Sequence, residues 1–224
     1  MDAAATFRSA VSDLEAGLDH RRRERPEIAF EKQPAPRKLA PYAAAVGATV
    51  HEPEAWRGSG AGHDPQIAHD PDAEIGWGSF VLLYDPAGQT GWAGPFRIIA
   101  YLRADLEAEI AADPLIGQVG WSWLTEALDA RTSGYRQTSG TVTRVVTEGF
   151  GAKEDQPVAT GFELRASWSP ATPGAGIPVA AHRAPPDLDG HLAAWCDALC
   201  AASGLPPLPA GVSALRPPRA RRRP

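Results

Sequence analysis

The sequence holds one methionine, two cysteines and three lysines (Lys32, Lys38, Lys153), and no uninterrupted apolar stretch exceeds five residues. Two cysteines exclude a disulfide framework. Apolar runs as short as Phe80–Tyr84 exclude a membrane-spanning helix, which needs about 20 residues, so no membrane partner is expected. Residues 1–20 carry Asp2, Asp13, Glu15 and Asp19 with no apolar run. No secretory signal peptide is therefore expected, and the chain reads as cytoplasmic. There is no GxSxG elbow, HExxH, CxxC, Walker A or dinucleotide fingerprint, so no motif points to a catalytic residue or a cofactor.

What is plentiful is glycine and proline, 22 of each among 224 residues, beside 43% hydrophobic residues. That leaves enough apolar material for a core, interrupted by irregular segments. Glycine and proline crowd into residues 53–71, the stretch from Pro170 to Pro186, and the end after Gly204. The expected organisation is one domain over residues 1–205 with a long loop at 51–74, a proline-rich linker at 170–186 and a disordered basic tail at 206–224. The formal charge of −5 is uneven, because five of the last nine residues are arginine. The remainder carries 17 Lys and Arg against 27 Asp and Glu, a net of −10. An acidic body argues against nucleic-acid binding by the fold itself. Only the tail, with Arg219, Arg221, Arg222 and Arg223, has the chemistry to hold a polyanion such as RNA. Abundant Ala, Gly, Pro and Arg with scarce Lys suggest a GC-rich coding bias.

Phe7, Val11, Leu14 and Leu18 recur at a 4-3-4 spacing, which predicts an amphipathic helix up to the charged run at Arg21–Arg25. Ile28–Gln33 alternates as a short edge strand, and the Ala-rich Leu39–Val46 reads as a helical turn opened at Pro41. Trp77–Tyr84 and Phe96–Arg103 are two apolar strands separated by Asp-Pro turn chemistry, the strongest hairpin signal in the chain. Asp105 is expected to open a helix with Leu106 and Ile110. Asp113-Pro114 restarts one carrying Leu115, Val119, Trp123, Leu124 and Leu128. A second hairpin covers Thr141–Phe150 and Val158–Trp168. The last helix carries Leu188, Leu192, Trp195 and Leu199, with Asp187 as cap and Gly204 past its end.

Hairpins joined by helices predict an α+β fold, an antiparallel sheet of about five strands with helices on one face, in the order α-β-ββ-α-ββ-α. That order is similar to the small fold of type III secretion chaperones and their YbjN-like relatives.

The segment GHDPQIAHDPDAE groups His63, Asp64, His69 and Asp70, a donor set suited to a divalent metal. Each His-Asp pair precedes proline, however, and consecutive Asp-Pro turns explain the segment without a metal. Cys196 and Cys200 lie on the apolar flank of the last helix and read as core. Gly88, Gly91 and Gly94 form a GxxGxxG pattern between two strands, where a phosphate cradle would need a strand-to-helix turn; it reads as a hairpin loop with Trp92 at its tip. Trp56 and Trp92 fall in loops and are candidate partner contacts. Arg144, Glu148, Glu163 and Arg165 sit on the second hairpin, either as cross-strand ion pairs or as a ligand-binding face.

Gly76–Leu128 (GWGSFVLLYDPAGQTGWAGPFRIIAYLRADLEAEIAADPLIGQVGWSWLTEAL), SGTVTRVVTEGFG from Ser139 and ELRASW from Glu163 resemble the actinobacterial domain of unknown function 3000 family. The resemblance runs from about Phe7 to about Gly204. It implies a cytosolic actinobacterial protein with no assigned catalytic residues, whose genes often neighbour one for a ribonuclease D-like protein. The leading expectation is a non-catalytic protein-binding or adaptor module. The alternatives are a small-molecule-binding protein or enzyme with its site on the sheet face, and weak RNA binding through the arginine tail.

Overall fold

The computed structural model describes residues 2–53, 73–171 and 186–205. The order is α1 (Ala3–Glu24), β1 (Ile28–Gln33), β2 (Tyr42–His51), β3 (Glu74–Tyr84), β4 (Phe96–Asp105), α2 (Ala108–Ala112), α3 (Ile116–Arg131), β5 (Tyr135–Thr147), β6 (Ala159–Pro170) and α4 (Leu188–Ala202). The six strands form one open sheet in the order β1-β2-β3-β4-β6-β5, and every neighbouring pair is antiparallel. The fold is thus α+β, with one strand more than the sequence pattern predicts.

The additional strand is β2. Alanines 43–45 favour a helix in isolation, but Tyr42–His51 lies between β1 and β3 and pairs with both. Ladder bonds on two sides outweigh intrinsic propensity. Two expected boundaries move because β6 pairs farther along its neighbours: Asp105, expected to open a helix, pairs with Gly161 and ends β4, leaving Glu107 before α2, and β5, expected over Thr141–Phe150, runs Tyr135–Thr147 with Tyr135 opposite Pro170. The Asp2 carboxylate accepts the Ala4 N–H at 3.3 Å to start α1. Asp187 accepts the Gly190 N–H at 3.2 Å to start α4, and Gly204 (φ 75°) ends it, with the Leu205 N–H returning to the Cys200 carbonyl at 2.9 Å. In α3, Asp113 Oδ1 accepts the Leu115 N–H at 2.8 Å. Leu115 and Val119, expected on its inner stripe, are instead 53% and 40% exposed; Ile116, Gly120, Leu124 and Leu128 are buried. The stripe is rotated because Gly120 is what lets α3 approach the sheet. A Cβ there would fall 2.2 Å from the Phe162 ring.

Directly opposed residues in antiparallel strands share a face. Val46, Ala48, Phe80, Leu82, Ile98, Ala100, Phe162, Leu164 and Trp168 therefore point to one side, where they form the core with α1, α3 and α4. Helix α4 lies at its centre and is buried nearly all round, as expected of a helix packed between neighbours rather than at the surface. Trp195 packs on Phe80 at 5.6 Å between ring centres, and Gly78 makes room for its indole. Arg21 ties α1 to α4 through Asp189 (3.4 Å), while Glu24 of its own helix pairs with it at 2.6 Å.

Candidate functional site on the open sheet face

The second face of the sheet has no long helix over it among the described residues. It carries Ala43, Ala45 and Thr49 from β2, Trp77, Ser79, Val81 and Leu83 from β3, and Arg97, Ile99, Tyr101 and Arg103 from β4. Glu163, Arg165, Ser167 and Ser169 come from β6, and Ser139, Thr141 and Thr143 from β5. Trp77 meets Tyr101 edge-on at 5.4 Å, and the Arg165 guanidinium lies 5.3 Å from the Tyr101 ring centre. Trp77, Val81, Ile99 and Tyr101 are half-buried, so the middle of this face is apolar and only partly covered.

At one end the face deepens into a pocket of about 470 Å³ lined by Leu39, Leu83, Gln89, Trp92, Arg97, Ile99, Gln137, Ser139 and Ser167, among others. That volume lies within the range of small-ligand sites, about 300–1,000 Å³. Three segments build it. The β3–β4 loop closes one side and is tied down at several points. The Asp85 N–H donates to the Pro95 carbonyl at 2.8 Å, Gln89 Nε2 donates to Leu39 O (3.0 Å) and to Asp85 Oδ2 (3.1 Å), and the Ala93 N–H donates to Ser169 Oγ (3.1 Å). These bonds hold Trp92 in the wall. The opposite side is a bulge in β5, where register shifts between Arg136 and Ser139 and Gln137 adopts φ 54°. A left-handed glutamine is uncommon and costs free energy, and such strain gathers at functional sites.

The floor is Arg97, whose residue is only 8% exposed. Its Nη1 donates to the Gln137 carbonyl at 2.9 Å and to Ser169 Oγ at 3.4 Å, and its Nη2 donates to Ser167 Oγ at 2.6 Å. All these acceptors are neutral. Burial lowers the Arg97 pKa, and no carboxylate opposes the shift. The side chain nonetheless remains charged. The left-handed turn at Gln137 is what brings a backbone carbonyl to this guanidinium.

Of the residues singled out in the sequence, Trp92 lies in this pocket, and Glu163 and Arg165 lie on the open face, ion-paired at 3.2 Å. Burial and the nearby Glu163 raise the Tyr101 phenol above its usual range. Arg144 is not with them. It pairs with Phe162 in register and so belongs to the helix face, where it donates to the Asp113 carbonyl at 3.4 Å. Glu148 follows the last residue of β5, so the four do not form one polar face. The reason is the two-residue period of a strand: Arg144 is one residue from Thr143, which opposes Glu163. Trp56, His63, Asp64, His69, Asp70, Arg219, Arg221, Arg222 and Arg223 lie outside the described residues.

Sequence reasoning missed Arg97, Gln137 and Ser167. Arg97 interrupts the apolar run of β4 at a position facing away from the core, and that interruption was the available signal. Cys196 and Cys200 are buried core thiols. Burial pushes the Cys200 pKa up to about 12 and that of Cys196 well above its usual value. His191 accepts the Trp168 indole N–H at 3.1 Å, and burial lowers its pKa to about 4.

Fold and site together define an α+β protein with a six-stranded open antiparallel sheet, three long helices on one face and an arginine-floored pocket on the other. The chain belongs to the family described as protein of unknown function, DUF3000, which matches residues 3–213. No curated protein and no solved structure matches it. No helix among the described residues is long and apolar enough to cross a membrane.

Proposed function

We propose that the protein is a non-catalytic binding module of the cytoplasm that recognises another protein through the open face of its sheet. The observation that carries this reading is the half-buried apolar centre of that face, Trp77, Val81, Ile99 and Tyr101, on a side the long helices leave uncovered. Apolar centres with aromatic anchors and a polar rim typify protein interfaces, and here Arg103, Glu163, Arg165, Thr141 and Thr143 form the rim. The cysteines and the histidine on α4 favour a non-catalytic role, since all three are sealed in the core. The element order resembles that of secretion chaperones with β2 added, which supports protein binding by analogy alone.

The test is site-specific photo-crosslinking in cells from Thr141 or Thr143 on the open face, with Glu126 on α3 as control; all three are exposed. A single partner crosslinked from both threonines and not from Glu126 is expected, and the ribonuclease D-like protein implied by the family resemblance is the first to examine. A partner reached equally from Glu126, or none from the threonines, contradicts the reading. The alternative of a small-molecule site on the sheet face is favoured by the pocket around Arg97.

A further inference from the structure

We propose that the pocket floored by Arg97 is a binding site for a carboxylate carried on an apolar body. The inference deepens the reading of the open face as the recognition surface and rests on it for location, while the chemistry comes from Arg97 itself.

A buried guanidinium normally sits against a carboxylate, because a lone buried charge is costly. Among the described residues Arg97 has three neutral acceptors and no acid. The two other buried arginines among the described residues behave differently: Arg21 meets Glu24 and Asp189, and Arg25 meets Glu27 at 3.0 Å. Arg97 is thus a cation with no counter-ion among the described residues, on the floor of a cavity large enough for a ligand. Ser167 Oγ accepts from Arg97 at 2.6 Å, so its own proton points away from the guanidinium and is free to donate to a bound oxygen. Arginine is suited to planar, two-oxygen anions that it can bind bidentately.

The rest of the lining sets the body of the ligand. Leu39, Leu83, Trp92 and Ile99 supply an apolar wall, which inorganic phosphate has no use for. Among the described residues Arg97 is the only Lys or Arg in the lining, matching one negative charge rather than the nearly two of a phosphate monoester. The pocket is also pre-formed, because the loop and the bulge are pinned by their own hydrogen bonds. Such a carboxylate has two sources, a free amphiphilic acid or the C-terminus of a peptide ending in an apolar residue.

The experiment is calorimetric titration of the full chain with 3-phenylpropionate, its primary amide, inorganic phosphate, and a peptide ending in Leu-Phe with a free or an amidated terminus. The acid is expected to bind at least tenfold tighter than the amide, and phosphate no better than the amide. A free-terminus peptide tighter than the free acid assigns the source to a chain end, and the reverse order to a small molecule. Trp92→Ala, which leaves the helix-side core untouched, should weaken the acid several-fold at unchanged Tm, and Ser167→Ala, which strips Arg97 Nη2 of its acceptor, should weaken it at a lower Tm. Arg97→Met should abolish binding with Tm equal to or above the parent, the mark of a charge kept for a ligand rather than for the fold. Equal affinity of acid and amide, tighter binding of phosphate, or an Arg97→Met variant that still binds overturns the proposal. Loss of carboxylate binding with the open-face crosslinks intact removes the pocket assignment alone, and loss of the crosslinks removes the reading of the face.

Discussion

Two buried groups show at the residue scale how one interior treats different chemistry. His191 and Arg97 are both covered, but His191 can shed its charge and Arg97 cannot. Burial lowers the His191 pKa from 6.5 to about 4, so the folded state resists a proton that the unfolded state accepts. Its contribution to stability is complete above about pH 6.5 and is lost as pH falls toward 4. Over that interval the loss amounts to at most roughly 3 kcal/mol. Urea unfolding at pH 7 and pH 4.5 should show it, and His191→Gln, whose amide oxygen still accepts the Trp168 indole proton, should show less of it. The raised thiol pKa values of Cys196 and Cys200 predict a second result. An aromatic disulfide reagent should leave both cysteines of the folded chain unmodified at pH 8 and should titrate both in denaturant; rapid reaction of the native protein would show that α4 is not sealed.

Packing at the scale of elements depends on a few close approaches. Helix α3 meets β6 where Gly120 lies against Phe162, and the ring is fully buried. Gly120→Ala gains helix propensity but must displace that ring. Overpacking of this kind costs about 1–3 kcal/mol, so a lower urea midpoint is expected despite the better helix former. An unchanged midpoint would mean that α3 rides farther from the sheet.

Final neighbours decide which parts of the fold were legible in the sequence. Segments whose apolar period matches their final neighbours, such as α1, β1, β3, β4 and α4, read correctly from spacing alone. The β2 strand did not, because three alanines carry almost no strand signal and the segment becomes a strand only through its two neighbours. Nor did the α3 stripe, because sequence periodicity ranks Leu115 and Val119 above a glycine that matters for closeness. Of the candidate site, Trp92 was visible as a loop aromatic. Arg97 was hidden inside a strand that reads as apolar, and the β5 bulge cannot be inferred from a run of residues that would pair equally well in register.

On the scale of the whole molecule, one asymmetry stands out: the helices and nearly all large buried side chains gather on one side of the sheet. The other side keeps an apolar centre, a polar rim and a built pocket with an uncompensated cation. The body without its last nine residues is acidic, with a net charge of −10, so the Arg97 pocket is a local exception to the sign of the surface. An anionic ligand therefore approaches against the general field, and binding should strengthen slightly rather than weaken as salt rises from about 50 to 200 mM, because screening removes repulsion beyond a Debye length of about 10 Å. A steep loss of affinity with salt would instead point to a cationic surface outside the described pocket.

The most direct test of the Arg97 pocket on the open face as a carboxylate site is an amide chemical-shift map of the full chain titrated with 3-phenylpropionate. The expectation is shifts confined to Gln89–Trp92, Arg97–Ile99, Gln137–Ser139 and Ser167, with α1 and α4 unmoved. Shifts centred on the helix side, or no saturable shifts at all, would contradict it.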